Sequence, residues 1–259
     1  MPATQPTATF PDLKGASVFI TGGGAGIGAA LTEGFAAQGA RVAFVGRTDR
    51  TAFAAALAAR TGSDVLYVPG DVTDVAALEA AMDRAAAAHG PIRVLVNNAA
   101  DDARRPALEV DQAFWDASQA VNLRAVFFAA RKAAEGMRAA GGGVIVNYTS
   151  ISYMMADAGY APYIAAKAAI TGLTRTLARE WGRDGIRVNG IAPGWVLTER
   201  QRELWVTPEA LAAHVANQCL DVEIQPEDMV GPTLFLASDA SRVVTGQVLV
   251  ADAGVVVSG

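Results

Sequence analysis

Tyr163-Ile-Ala-Ala-Lys167 sets a phenol and an ammonium four residues apart, hence on one face of a helix. A free tyrosine titrates near ~10 and is a poor base at neutral pH. A neighbouring Lys⁺ stabilises the phenolate and draws that pKa toward working pH, so Tyr163 can serve as a general acid/base. Tyr160 is a decoy for this role: it precedes Pro162, which suits the first helical position and leaves Tyr160 outside the helix. By itself a Tyr/Lys pair at this spacing is usually a surface pair, but this one has company. Ser150 stands 13 residues before Tyr163, just past the apolar run Val144–Tyr148. It therefore projects from a strand's carboxyl end, the edge where ligands bind in open α/β sheets. Its hydroxyl can bind a substrate oxygen without acting as nucleophile; a turn or capping role is the alternative, and Ser152 competes for the position. Asn122 falls mid-helix in Ala120-Val-Asn-Leu-Arg124, where asparagine is intrinsically poor. Either it caps a kink or it binds a structural water leading to Lys167.

A second constellation binds rather than reacts. Thr21-Gly-Gly-Gly-Ala-Gly-Ile-Gly28 follows the first apolar strand and opens the first helix. Glycine lets the backbone turn tightly and lets a pyrophosphate approach a helix N-terminus, whose free N–H groups and dipole favour an anion. Gly22, Gly26 and Gly28 leave three residues between the first pair of glycines, not one. In a Rossmann site an acid at the end of the second strand, about 20 residues on, holds the adenosine ribose. Here Gly46 and Arg47 stand there, so a guanidinium replaces a carboxylate and NADP(H) is favoured, with NAD(H) possible. The alternative is that Arg47 merely faces solvent, and Asp49 lies close by. Asp71, after the third strand, is placed to accept from the adenine amino group or, alternatively, to share a helix N-cap role with Thr73 and Asp74.

These residues need a scaffold. Strands are expected at Ser17–Thr21, Arg41–Gly46, Val65–Pro69, Val94–Asn97, Val144–Tyr148, Arg187–Ala192 and Val248–Asp252. Helices are expected at Gly26–Gln38, Thr51–Arg60, Val75–His89, Asp111–Arg138, Tyr163–Trp181, Pro208–Gln218 and Pro226–Ala237. Strands without polar alternation, separated by helices, predict a parallel sheet covered on both faces: a single-domain α/β, doubly wound, Rossmann-type fold. Residues 1–12, rich in Pro and Thr, read as a flexible leader; 13–259 read as the domain, with a substrate lid at about 194–218. The 259 residues are 52% hydrophobic and 18% charged, which excludes disorder and allows a large core. A net charge of −5 argues against a nucleic-acid partner. Cys219 is the single cysteine, so no intrachain disulfide forms and a reducing, cytoplasmic setting fits. Two histidines, His89 and His214, offer no zinc site. No apolar run approaches the ~20 residues of a membrane span, and Met1–Pro11 lacks the features of a signal peptide.

The glycine turn, Asn97-Asn98-Ala99-Ala100, Asn122, Ser150, Tyr163-xxx-Lys167 and Pro193-Gly194-Trp195-Val196 occur in the order and spacing of the short-chain dehydrogenase/reductase family. The chain resembles that family from about Leu13 to Gly254. The resemblance implies seven parallel strands and an Asn122/Ser150/Tyr163/Lys167 tetrad. Tyr163 would exchange a proton with the substrate oxygen, Ser150 would polarise it, and Lys167 would also hold the nicotinamide ribose. Cofactor contacts are implied for Gly22, Gly24, Ala25, Gly26, Ile27 and Gly28, then Arg47, Asp71 and Val72. Further contacts are implied for Asn98, Ala99 and Ala100, and for Pro193, Gly194, Val196 and Thr198. A homotetramer built partly through the long helices Asp111–Arg138 and Tyr163–Trp181 is implied as well. Ala100 departs from the family's usual glycine, which a negative φ would tolerate.

A narrower resemblance rests on Asp101-Asp102-Ala103-Arg104, Ser150-Ile-Ser-Tyr153 and Thr198-Glu-Arg-Gln-Arg-Glu-Leu-Trp205-Val-Thr-Pro208. These segments look like bacterial aldose dehydrogenases of the D-xylose type, which oxidise C1 of a pentose or 6-deoxyhexose to a lactone. Asp101, Ser150, Ser152 and Tyr163 would then meet the sugar. Trp195 and Trp205 could stack on it, with Arg200, Gln201 and Arg202 binding hydroxyls; otherwise the lid tryptophans simply pack. Those relatives carry aspartate where this chain has Gly46. A carbonyl or 3-oxoacyl reductase is the competing enzyme, and a non-catalytic NADP(H)-binding sensor the competing class.

Overall fold

Alternation along each strand decides which side chains enter which layer. In the computed structural model, which describes residues 8–257, seven parallel strands lie in the order β3-β2-β1-β4-β5-β6-β7. They are β1 Ser17–Thr21, β2 Arg41–Gly46, β3 Val65–Pro69, β4 Val94–Asn97, β5 Gly143–Tyr148, β6 Ile186–Pro193 and β7 Val248–Ala251. Val18, Ile20, Val42, Phe44, Val94 and Val96 bury on one face, under α1 Gly26–Ala37, α2 Thr51–Thr61 and, toward the other edge, α10 Val230–Ala237. Phe19, Ala43, Val45 and Leu95 bury on the other, under α3 Val75–His89, α5 Ala125–Ala139 and α7 Ala161–Trp181. Strand order reverses between β1 and β4, which opens a crevice at the carboxyl edge of the sheet. The turns leaving β1, β4, β5 and β6 all end there.

A ladder of buried amides docks α7 onto that edge. The register sets Asn97 of β4 beside Asn147 of β5. Asn97 Nδ2 donates to Asn147 Oδ1 at 2.9 Å, and Asn147 Nδ2 donates to Thr174 Oγ1 of α7 at 3.0 Å. Thr149 Oγ1 then donates to the carbonyl of Lys167 at 2.6 Å. Asn97, Asn147, Thr149 and Thr174 are all buried, so each bond is hard to replace by water.

Four expectations change. The helix expected over Asp111–Arg138 is α4 Gln112–Gln119, a π-helical turn Ala120–Arg124, and α5. Asn122 sits in that π-helical turn, and its carboxamide bonds the Asp101 backbone and, more weakly, Ser118 Oγ rather than capping the helix break. The lid holds two short helices, α8 Glu199–Leu204 and α9 Pro208–Ala216, because Thr198 and Thr207 each cap a new start. The helix expected from Pro226 opens as a 3₁₀ turn, Pro226–Met229, before α10. Residues 1–7 of the expected leader lie outside the described residues, but residues 8–12 are tied down. Gln38 bonds Ala8 and Phe10, and Asp12 accepts from the Asp239 N–H at 2.9 Å. The short α6 Ser152–Met155 is an addition. Among the described residues no helix is long and apolar enough to cross a membrane.

Asn147→Ala removes the shorter of the two bonds from Asn97 Nδ2, which keeps only the Val126 carbonyl at 3.3 Å, and takes the amide donor from Thr174 Oγ1; the expected loss is about 1–3 kcal/mol. Urea denaturation measures it; an unchanged midpoint would show that the ladder does not hold α7.

Candidate active site

The turn after β1 is shaped around missing side chains. Gly22 and Gly26 have φ of +69° and +50°, where L side chains are strained. A Cβ on Gly28 would stand 2.0 Å from the Gly22 carbonyl oxygen, so only glycine lets α1 start this close to the turn. A Cβ on Gly24 would meet the Arg50 side chain at 2.6 Å. Asn98 Nδ2 braces the turn through the carbonyls of Thr21 and Gly22, and Thr21 Oγ1 accepts from the N–H groups of Asn98 and Ala99. The first turn of α1, reached through Ala25 and Ile27, carries no acidic residue. A bare helix N-terminus behind a glycine cradle fits a pyrophosphate.

At the end of β2, a Cβ on Gly46 would meet open space. Arg47 is exposed and in no ion pair among the described residues. Asp49 does not oppose it: its carboxylate is turned to Thr51, accepting from N at 2.9 Å and Oγ1 at 2.7 Å, which holds its pKa low. Asp71 Oδ1 accepts from Thr73 N and Oγ1, while the N-cap of α3 is Asp74. Asp71 thus folds its own loop and does not share the cap. Burial acts to raise its pKa, but the Thr73 bonds and the nearby Arg47 prevail and lower it. The Val72 side chain is buried in the core beneath, so only its backbone can meet a ligand. Ala100 is not among the residues with positive φ, which removes the objection to its methyl group.

A cavity of about 530 Å³ lies at the sheet edge. Ser150, Tyr163 and Lys167 line it together, as do Ile27, Asn98 and Ala100. Pro193, Gly194, Val196 and Thr198 enter from the β6 side, and Ser152, Trp195, Arg200, Gln201 and Trp205 from α6 and the lid. Thr198 also packs on the glycine turn, its Cγ2 being 3.0 Å from a Cβ placed on Gly26. Asn122 and Asp101 do not line the cavity. Asn122 Oδ1 accepts from the Asp101 N–H, and its Nδ2 donates to the Asp101 carbonyl, both at 2.9 Å. The Asp101 carboxylate binds Arg200 at 2.7 Å. This chain of contacts holds the loop after β4 against the lid. Arg202 turns away, to Gln225 and Glu223.

Burial rules the electrostatics. Lys167 Nζ donates to the Tyr148 carbonyl at 2.8 Å and lies 5.5 Å from the centre of the Tyr163 ring. Burial pushes its pKa down to about 8, opposed by the carboxylate of Asp102. Burial pushes the Tyr163 phenol well above 10, opposed by the Ser150 hydroxyl and reinforced by Asp102. The expected lowering of the Tyr163 pKa by Lys167 is therefore not seen in the free protein; desolvation wins. Tyr163 rests as a neutral phenol beside Ser150, while the Ser152 N–H donates to Ser150 Oγ at 3.2 Å. Tyr160 is outside α7 as expected, its hydroxyl bonded to Asp157 at 2.9 Å and its ring stacked on Tyr163 at 5.6 Å.

Asp102, Arg104, Tyr160 and His214 are among the lining residues that were missed as site residues. Asp102 accepts from Gln201 Nε2 at 2.7 Å, and Gln201 Oε1 in turn accepts from Trp195 Nε1 at 2.9 Å. The Arg104 guanidinium lies 4.1 Å from the Trp205 ring and 5.1 Å from that of Tyr160. A lone histidine in an alanine-rich lid segment was the available signal for His214.

The chain is similar to known proteins over nearly its whole length. A family model described as enoyl-(acyl carrier protein) reductase matches residues 22–256. A Rhizobium meliloti protein named "Probable galactose dehydrogenase GalD" is 47% identical over 254 residues, covering 97% of this chain and 99% of its own. The D-xylose 1-dehydrogenase of Caulobacter vibrioides is 45% identical over 252 residues, covering 96% and 98%. A solved structure from Beutenbergia cavernae, described as "a putative NAD(P) dependent gluconate 5-dehydrogenase" with bound NADP at low occupancy, superposes with a TM-score of 0.88 at 39% identity, covering 93% of this chain and 97% of its own.

Gly28→Ala should abolish tight binding of a dinucleotide, because the new methyl would strike the Gly22 carbonyl and push the turn from α1. Titration monitored by nucleotide fluorescence checks this, and affinity within about twofold of the parent would contradict the cradle (the cost of a clash of this kind is ~1–3 kcal/mol, at least about fivefold).

Proposed function

This chain belongs to the short-chain dehydrogenase/reductase family, and from that premise we propose that it oxidises the anomeric hydroxyl of an aldose to a lactone, with NADP⁺ as the preferred acceptor. Membership makes it an NAD(P)-dependent oxidoreductase acting on a CH–OH group of a small molecule. The observation that carries the sugar reading is the cavity wall. Asp102, Arg104, Gln201, Trp205 and His214 line the cavity with Tyr163 and Ser150, polar side chains suited to a hydroxylated substrate. The names of the two relatives, a galactose and a D-xylose dehydrogenase, support it. The description of the matching family model favours a second reading, an acyl-chain reductase. An alkyl or acyl chain would offer these side chains no hydrogen bonds.

The roles follow from chemistry and position. In its phenolate form Tyr163 Oη takes the proton of the reacting hydroxyl and becomes the phenol, while Ser150 Oγ holds the same oxygen in place. Lys167 puts its charge behind the phenol and, from its anchored position, would bind the nicotinamide ribose. Asn122 is a positioning residue, acting through the Asp101 backbone. The nicotinamide, when bound, supplies the hydride acceptor. The Gly22–Gly28 turn would hold the pyrophosphate, with Asn98, Ala99, Ala100, Asp71, Val72, Pro193, Gly194, Val196 and Thr198 along the rest of the groove. NADP preference is supported by Gly46, by Arg47 without an ion-pair partner among the described residues, and by Asp49 being engaged elsewhere. A cytoplasmic homotetramer completes the reading; Trp115 and Phe127, partly exposed on α4 and α5, suit a helix-to-helix interface.

A panel of aldoses with NADP⁺, followed by nicotinamide absorbance, tests the activity. Because the Tyr163 pKa is raised, its phenolate fraction grows about tenfold per pH unit below that pKa, so oxidation should speed up as pH rises. The climb should bend above about 8, where Lys167 loses its charge. Tyr163→Phe should keep cofactor affinity and lose at least about 10²-fold in turnover. A pH-independent rate, or a Phe variant with most of its activity, would remove Tyr163 from the acid/base role. Reduction of simple ketones with no aldose oxidised would reassign the substrate.

Arg47→Ala should weaken NADP⁺ by about tenfold or more, the worth of a charge-assisted contact, and leave NAD⁺ nearly unchanged. Equal losses for both would show that Arg47 does not read the ribose phosphate.

A further inference from the structure

Four flat side chains in the wall of the cavity lie one upon another, and they come from three separate parts of the chain. Arg104, in the loop after β4, sets its guanidinium carbon 4.1 Å from the centre of the Trp205 ring, at the end of α8. The same guanidinium lies over the Tyr160 ring at 5.1 Å. Tyr160 is stacked on Tyr163, with ring centres 5.6 Å apart and planes 24° from parallel. Each spacing falls within the reach of cation–π and aromatic attraction, about 6–7 Å. The pile runs from the lid to the phenol that moves the proton.

Tyr160 has no other reason to stand where it does. It is the N-cap of α7, a position where Ser, Asp or Asn would bond a free N–H, and its side chain makes no such bond. Its ring is turned onto the first turn of the helix instead, against Tyr163 three residues on. Two hydrogen bonds hold that arrangement. The Tyr160 hydroxyl donates to Asp157 at 2.9 Å, and the Arg105 N–H donates to the Gly159 carbonyl at 2.7 Å, joining the loop before α7 to the loop that carries Arg104. Arg105 is paired with Asp111 and lies over Phe114, whereas Arg104 enters no ion pair among the described residues and lies between two rings.

We propose that Tyr160 and Arg104 are positioning residues for the proton transfer: their stack, capped by Trp205, keeps the Tyr163 ring aligned with its Oη beside Ser150. The inference rests on Tyr163 as the acid/base and not on which sugar is oxidised. The phenol oxygen is the atom furthest from the backbone, so a change in the first side-chain torsion swings it through the widest arc. A ring lying flat against Tyr163 blocks that swing on one side. Displacing a reacting group by ~1 Å can cost about 10²-fold in rate, so such a restraint matters to turnover. Because Trp205 ends the pile, the seating of α8 and the alignment of the phenol are joined.

The test uses whichever aldose or ketone turns over fastest and compares three variants with the parent. Tyr160→Leu removes the ring, Tyr160→Phe keeps it, and Arg104→Met removes the flat cation from an exposed position. For Tyr160→Leu, kcat should fall about tenfold or more, while KM and NADP⁺ affinity stay within about twofold. The solvent deuterium isotope effect on kcat should rise, because the proton step becomes slower relative to the others. Tyr160→Phe should recover kcat to within about threefold of the parent. Arg104→Met should show the isotope signature with a smaller loss. The double variant Tyr160→Leu, Arg104→Met should be no slower than Tyr160→Leu, since the two act in series.

An unchanged kcat, a loss confined to KM, an isotope effect that does not rise, a Phe variant as slow as the Leu one, or losses that multiply in the double variant would overturn the stack. Each of these would leave the acid/base role of Tyr163 standing. If Tyr160→Leu does not fold, the isotope effect of Arg104→Met decides in the same way. Full activity of Tyr163→Phe would remove the acid/base role and the stack together.

Discussion

The burial of Lys167 beside the carboxyl end of β5 is the constraint from which the rest of the site follows. Its ammonium is held at the Tyr148 carbonyl, 2.8 Å away, and its own carbonyl is held by Thr149. These two bonds join α7 to the strand at a single level. The Asn97–Asn147–Thr174 ladder fixes the same pair of elements one turn or more further along the helix. With α7 anchored at both levels, Tyr163 can only project beside Ser150, which leaves the same strand. A protein that buries a lysine this deeply forgoes its hydration, and the lowered pKa near 8 records that cost.

The same burial sets the resting state of the site. Tyr163 is held as a phenol because desolvation outweighs what its neighbours offer, and Asp102 adds to the effect. Asp102 opposes the shift at Lys167, so one carboxylate steadies the protonated form of both groups. That carboxylate is itself fixed by Gln201 and lies within 3.5 Å of Arg200, both on α8. The lid and the proton-transfer pair are thus joined through a side chain of the loop after β4. Asn122 completes the link from below, since the π-helical turn lets its carboxamide grip the Asp101 backbone.

Most of the fold was legible because apolar strands and amphipathic helices follow simple periods. Seven strands and the main helices were placed to within about two residues, the usual uncertainty of a boundary. The broken stretches were harder. A π turn at Asn122 keeps the hydrophobic pattern of a continuous helix and differs only in where one side chain finds partners. In the lid the helix from Pro208 was legible, but α8 was not, because the cap at Thr198 that starts it could equally sit in a loop. For the site, spacing brought Ser150, Tyr163 and Lys167 together correctly, because four residues on a helix and one strand end are local facts. The sign of the Tyr163 pKa shift was misread, since charge proximity is visible in sequence and desolvation is not. Arg104 over Trp205 and Asp102 against Gln201 join residues about a hundred positions apart, and no local pattern reports such contacts.

The most direct measurement follows the hydrogen itself. An aldose carrying deuterium at its anomeric carbon would be incubated with the enzyme and NADP⁺, and the reduced cofactor examined by NMR. Transfer of the label to the nicotinamide ring, with a lactone as the sugar product, is the predicted result. An unlabelled reduced cofactor, or reduction of the cofactor from another carbon of the sugar, would contradict oxidation at the anomeric centre.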